Sequence, residues 1–298
     1  MTFFSLFWPF WYSHFLYSKQ VGTLMGFNKP YSNATRTKVA LSALLALLVV
    51  GTQTVSAATT ALANDDWVGI SFWLATAMML AFTVFFLIER QNVPDKWKTS
   101  MTVAALVTGV AWYHYTYMRE VWADSYGVEG AAYGSPLVYR YIDWLITVPL
   151  QVVEFYLILA AIGVGTFVMF RNLMVASIVM LVAGFFGESG AMDSVIDLSA
   201  EVWWVIGMAG WGYILYELWS GDVKAASETG SPSVQYAFNS MRLIVTVGWA
   251  IYPIGYLMGA GTLGDSLGVD DMNIIYNIAD LVNKGAFGMM IWYAAKME

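Results

Sequence analysis

The chain has 298 residues, 59% of them hydrophobic and only 12% charged, with a mean hydropathy of +0.60. Soluble domains carry about 25% charged residues, so this composition places the chain in a membrane. The absence of cysteine excludes disulfides, thiolate metal sites and a cysteine nucleophile. With His14 and His114 as the sole histidines no metal site is expected, and a net charge of −7 scattered over loops gives no reason to expect nucleic acid.

Residues 1–57 read as a leader. Thr37 and Lys38 precede the apolar run Val39 to Gly51, which ends in Thr54-Val55-Ser56-Ala57. A basic start, a short apolar core and a small-residue cleavage site describe a secretory signal peptide, cut after Ala57. The alternative is an extra transmembrane helix, but the run is short and no charged stop-transfer follows it. The stretch ahead of Arg36 is unusual before a signal; a start at Met25 would explain it.

Residues 58–298 form the second domain. Seven apolar segments follow, at 67–88, 99–117, 137–160, 172–187, 202–219, 236–259 and 273–294. They predict an all-α, seven-helix membrane bundle. The first, third and fifth loops carry Arg90, Lys96, Lys98, Arg171 and Lys224, whereas the fourth and sixth carry Glu188, Asp193, Asp197, Asp265, Asp270 and Asp271. The positive-inside rule therefore puts the odd loops in the cytoplasm and the N-terminus outside.

The third segment, LVYRYIDWLITVPLQVVEFYLIL, could cross a bilayer, yet it holds Arg140, Asp143, Thr147, Gln151 and Glu154. Steps of three, four, four and three residues put all five on one stripe of a helix. Asp143 and Glu154 differ by only ~20° around the axis and ~16 Å along it. Ionisable groups at membrane depth cost at least ~2.5 kcal/mol, so the stripe is expected to face an internal polar path.

The seventh segment, NIIYNIADLVNKGAFGMMIWYAA, brings Asp280 and Lys284 to i, i+4 on one face. Such a lysine is either a structural ion pair or a reactive amine carrying an imine. Asp143, a second carboxylate at similar depth, suits a permanently cationic imine better. Both helices run inward, so both aspartates lie outside the amine and Glu154 inside it. That is a directional proton wire, with an acceptor outside and a donor inside. In the sixth segment Trp249, Tyr252 and Pro253 fit a proline kink. With Trp144, Trp203, Trp204 and Tyr276 they could also form an aromatic slot for a flat, conjugated ligand.

The stretches RYIDWLITVPLQVVEFYLIL, GWAIYPIGY and YNIADLVNKGAFG resemble the microbial (type 1) rhodopsins, most closely the proteorhodopsins of aquatic bacteria. The likeness runs from about residue 65 to 298. It implies all-trans retinal at the centre of the bundle, held on Lys284 as a protonated Schiff base. Asp143 matches the primary counterion and proton acceptor, Asp280 the second counterion, and Arg140 the arginine on their extracellular side. Glu154 matches the cytoplasmic proton donor, Thr147 completes the pump pattern, and His114 matches the histidine that partners the counterion. Met180, Gly184 and Trp204 match further pocket residues, and Gln151 the glutamine of the blue-absorbing subtype. Relatives with a carotenoid antenna have glycine where Trp204 stands, so no antenna is expected. The leader of about 57 residues is longer than the family's usual signal.

The resemblance thus implies a light-driven outward proton pump, an ion transporter and not an enzyme, in the bacterial inner membrane and in a homo-oligomer of five or six copies. Its partners are retinal, protons and the lipid bilayer. A photosensory receptor with a slow photocycle is the alternative, though Glu154 would be unnecessary to it. A sodium or chloride pump would replace Asp143 or Glu154, and a retinal-free transporter would show no visible absorption band.

Overall fold

A backbone removed from water must pair its own N–H and C=O groups, so the apolar segments fold as helices. A computed structural model describes residues 62–126, 135–259 and 268–298; the expected leader at 1–57 lies outside them. Helix α1 is Trp67–Glu89, α2 Lys98–Ser125, α3 Leu137–Ala161, α4 Phe167–Ser189 and α5 Ala200–Trp219. Helix α6 starts as Pro232–Leu243, widens into a π turn at Ile244–Gly248, and resumes as Ile251–Gly259. Helix α7 starts as Val269–Asp280, widens at Leu281–Ala286, and ends as Phe287–Lys296. Among the described residues there is no strand. Among the described residues four segments, Trp67–Asn92, Leu137–Ala161, Phe167–Ser189 and Pro232–Gly259, are long and apolar enough to cross a membrane.

Capping sets several boundaries that apolarity alone misplaces. Thr166 accepts a hydrogen bond from the Met169 N–H, so α4 begins before Arg171 rather than after it. Gly190, at φ +65°, closes the same helix in a left-handed turn that side chains rarely adopt. Helix α2 continues past residue 117 because Met118 and Trp122 stay buried and Arg119 stacks over the Trp73 ring at 3.8 Å. The Trp122 indole then donates to Asp66 at 3.0 Å, and Asp66 caps the start of α1.

The sixth segment is irregular just before Pro253: a π turn at Ile244–Gly248 and a break at 249–250 precede it, and side chains from neighbouring helices occupy carbonyls of the wide turn. The Trp211 indole donates to Val245 O at 3.2 Å, and Asn283 Nδ2 to Gly248 O at 3.0 Å. A wide turn misaligns the helical ladder, and these donors replace the lost bonds.

Each helix packs on its chain neighbours, and α7 closes back on α1. Glycines permit the closest approach: a Cβ on Gly210 would stand 2.8 Å from Ala176 O of α4. The pattern is inverted relative to a soluble core. Arg140, Asp143, Thr147, Gln151 and Glu154 are at most 1% exposed, while Ile142 and Ile146 on the same helix are 42% and 43% exposed. The polar stripe faces inward and the aliphatic faces outward.

One end of the bundle is clasped. Glu298 takes bonds from Lys96 at 2.5 Å, the Trp97 indole at 3.1 Å, Ser231 at 2.9 Å, and Ser233. Partial burial opposes ionisation, yet these donors, Lys96 foremost, hold the Glu298 carboxyl down at about 2, from an ordinary 4.5. A depressed carboxyl stabilises the fold above its unfolded pKa and loses that contribution as pH falls through the folded one. Glu298→Gln is expected to cost about 1 kcal/mol at neutral pH, discounted for solvent exposure. The difference from the parent should shrink between pH 4.5 and about 2. Denaturation in detergent across that range checks this; a pH-independent difference contradicts the clasp.

Candidate functional site

Lys284 lies within the π turn of α7, 2% exposed, with its nitrogen 2.8 Å from Asp143 Oδ2 and 2.7 Å from Asp280 Oδ2. The structure thus unites the α3 stripe and the α7 pair that periodicity had placed on separate helices. Burying three charges costs several kcal/mol per ion unless each is paired and hydrogen-bonded. Asp280 is well supplied: Tyr252 OH donates to it at 2.6 Å, Tyr115 OH at 3.0 Å and the Trp144 indole at 3.2 Å. Asp143 is not. Thr147 Oγ1 is 3.5 Å from its Oδ2 and bonds mainly to the Asp143 carbonyl at 3.0 Å.

His114 stands beside this group rather than in it. Its Nδ1 is 3.0 Å from Val110 O and 3.6 Å from Asp143 Oδ1, a hydrogen bond to the former and an approach to the latter. Arg140 donates through Nη2 to Asn277 Oδ1 at 2.8 Å and Asn273 Oδ1 at 3.0 Å, and lies 5.4 Å from the Phe72 ring and 5.5 Å from that of Tyr276. Its charge is therefore held by amides and aromatic faces. Glu154, farther along α3, is fully buried, and among the described residues no donor reaches either carboxylate oxygen.

A cavity opens beside Lys284, walled mainly by apolar and aromatic side chains. All but one of the expected pocket residues line it: Trp144, Gln151, Met180, Gly184, Trp204, Trp249, Tyr252, Pro253 and Tyr276, with Lys284. The Trp144 ring meets Tyr252 edge-on at 5.0 Å and Tyr276 at 5.8 Å, and the Trp204 indole donates to Pro253 O at 3.0 Å. Trp203 does not belong here; it packs edge-on against Phe186 at 5.3 Å. Adjacent residues of a helix point about 100° apart, and it is Trp204 that faces the cavity while Trp203 turns toward α4.

Sequence reasoning missed Tyr141, Glu188, Trp211, Tyr256 and Asn283, which also line the cavity. A signal existed for two of them. Tyr141 lies three residues before Trp144, and Glu188 four after Gly184, so each shares a face with a residue already chosen. They meet: Tyr141 OH donates to Glu188 at 2.8 Å, and a Cβ on Gly184 would lie 2.9 Å from that hydroxyl. Glycine at 184 lets the tyrosine form the wall.

The fold and the site together define a helical membrane bundle built around a buried lysine and its two carboxylates. Residues 66–297 match the model of the bacteriorhodopsin-like protein family, and the chain belongs to that family. It is 52% identical over 234 residues to a blue-light absorbing proteorhodopsin of Gamma-proteobacterium Hot 75m4, covering 78% of this chain and 88% of the relative. A green-light absorbing proteorhodopsin of Gamma-proteobacterium EBAC31A08 is 50% identical over the same shares. Among solved structures, blue light-absorbing proteorhodopsin from Med12 is similar at 55% identity and a TM-score of 0.63, covering 78% of this chain and 98% of that one. Xanthorhodopsin, described as a light-driven ion pump with dual chromophore, is similar at 28% identity and a TM-score of 0.65, covering 79% and 95%.

Gln151 turns out to have two neighbours, the cavity and the backbone. Its Nε2 donates to Asn283 O at 2.7 Å, so it also serves the wide turn of α7. Gln151→Leu would leave that buried carbonyl without its donor, at a cost of about 1–3 kcal/mol. Thermal denaturation of the variant in detergent should show the loss. An unchanged midpoint would mean that another donor takes over.

Proposed function

We propose that this chain is a light-driven outward proton pump whose chromophore is all-trans retinal on Lys284, absorbing in the blue. The observation that carries the reading is the Lys284 nitrogen held at 2.8 and 2.7 Å by two buried carboxylates at the wall of an aromatic cavity. The residues fit the group. A buried amine is available for an imine, the two aspartates balance its cation, and the cavity walls are indoles, phenols, Met180 and Gly184. Bound there, retinal supplies light absorption and a light-induced change in the proton affinity of the Lys284 nitrogen.

The chain's own groups give the proton a direction. Asp280 takes three hydrogen bonds from neutral side chains and so remains the standing counter-charge. Asp143 has an oxygen, Oδ1, that no donor among the described residues reaches by hydrogen bond, which makes it the better proton acceptor. Thr147 Oγ1 stands 3.5 Å from its Oδ2, and His114, 3.6 Å away, adjusts its charge balance. Arg140 holds positive charge on the extracellular side. Glu154, fully buried and without an ion-pair partner among the described residues, suits a carboxyl that carries a proton at rest and gives it to Lys284 from the cytoplasmic side. A sensor has no need of such a donor, and this residue is what favours a pump.

The remaining assignments follow the same reading. All seven rods span the bacterial inner membrane with the N-terminus outside, residues 1–57 are a signal-bearing leader, and the pump assembles with copies of itself.

Illumination of retinal-supplied cells in unbuffered medium should acidify the medium, and a protonophore should abolish the change. Lys284→Ala should yield a colourless protein that free retinal does not restore; a persisting visible pigment would refute the attachment site. Asp143→Asn should red-shift the pigment and stop transport. Glu154→Gln should keep the colour but slow reprotonation, and fast, pH-independent recovery would remove Glu154 from the donor role. Gln151→Leu should shift absorption to longer wavelength while pumping persists, because a dipole beside the chromophore is lost.

A further inference from the structure

Two π turns face each other across the α6–α7 contact, and one side chain ties them. Asn283, 2% exposed, immediately precedes Lys284. Its Nδ2 donates to Gly248 O at 3.0 Å, in the wide turn of α6, and approaches Tyr252 OH at 3.1 Å. Its own carbonyl receives the Gln151 amide of α3 at 2.7 Å. Tyr252 OH in turn donates to Asp280 at 2.6 Å. The peptide that carries the Lys284 amide nitrogen is therefore pinned from two other helices, one of which also positions a carboxylate partner of the lysine.

The fit depends on glycine. A Cβ on Gly248 would stand 1.8 Å from Asn283 Oδ1, and the nearest atoms it meets all belong to that one side chain. The far end of the asparagine occupies the space a β-carbon would take. Wide turns are costly irregularities and cluster at functional sites. Here each exposes a carbonyl, and a side-chain amide occupies it.

We propose that Asn283 is a positioning residue: a latch that joins the wide turns of α6 and α7 and so fixes the Lys284 nitrogen between Asp143 and Asp280. This rests on the retinal-bearing reading of Lys284 above. The latch makes no contact with the transferred proton. It sets where the nitrogen sits at rest, and how quickly it returns to that position after giving the proton up.

The test is a double-mutant cycle on the retinal-loaded, full-length protein in membranes. Asn283→Ala removes the latch from α7, and Gly248→Ala displaces it from α6 without touching the lysine. Each should move the absorption maximum in the same direction and slow reprotonation of the Lys284 nitrogen by about tenfold, the scale of one buried hydrogen bond. The double variant should be no worse than either single one, because both remove one interaction. Parent-like spectra and kinetics in both single variants, or effects that add, would overturn the latch. So would failure of both single variants to fold, since that makes Asn283 a determinant of the fold. A parent protein that binds no retinal would sink the chromophore reading itself, which is a different result from a coloured parent with indifferent variants.

Discussion

The buried cation of Lys284 and its two carboxylates constrain everything around them. An ionised group in a membrane interior is tolerated only when its partners are near and well directed, and removing one partner strands the others. In the proposed pump, one aspartate could not both balance Lys284 and take up its proton. On that reading Asp280 is the fixed counter-charge and Asp143 is free to change its own. The hydrogen bonds divide the two: Tyr252, Tyr115 and Trp144 all serve Asp280, while Thr147 serves chiefly the Asp143 backbone. Two aspartates that read alike in sequence are thereby made unlike.

This constraint also accounts for the aromatic wall. Trp144 lines the cavity and donates to Asp280, and Tyr252 does the same from another helix. An aliphatic wall would enclose a ligand equally well but could not hold a carboxylate. Indole and phenol are apolar on their faces and polar at one edge, so they can do both. The same economy appears at Gln151, whose side chain borders the cavity while its amide serves the α7 backbone.

Much of this was legible in the sequence because helical periodicity is a strong signal in a membrane. Five polar residues at steps of three and four along an apolar run can share only one face, and the structure buries that face while leaving Ile142 and Ile146 outward. Lys284 and Asp280 were readable for the same reason. The π turns were not, since nothing in the spacing of Ile244–Gly248 or Leu281–Ala286 distinguishes a wide turn from a regular one. A widened turn is set by what neighbouring helices offer its carbonyls, and that depends on Trp211, Gln151 and Asn283 reaching across from other parts of the chain. Trp203 and Trp204 could not be ranked either. Their order about the α5 axis becomes meaningful only once α4 and α6 are in place.

The wide turns give the site a property that a regular helix would lack. In an unbroken α-helix every backbone carbonyl near Lys284 would be committed to its own ladder, and the lysine could be steered only by its side-chain partners. Widening the ladder frees carbonyls for other helices to grip, so α3 and α6 act on the α7 backbone directly. Gln151 pulls on the carbonyl just before Lys284, and Asn283 reaches from that same residue to α6. The residues that line the cavity are thus mechanically joined to the one that would carry its ligand. In the proposed latch, the position of the nitrogen rests on its two carboxylates and also on a few hydrogen bonds to wide-turn carbonyls, each worth about 1 kcal/mol.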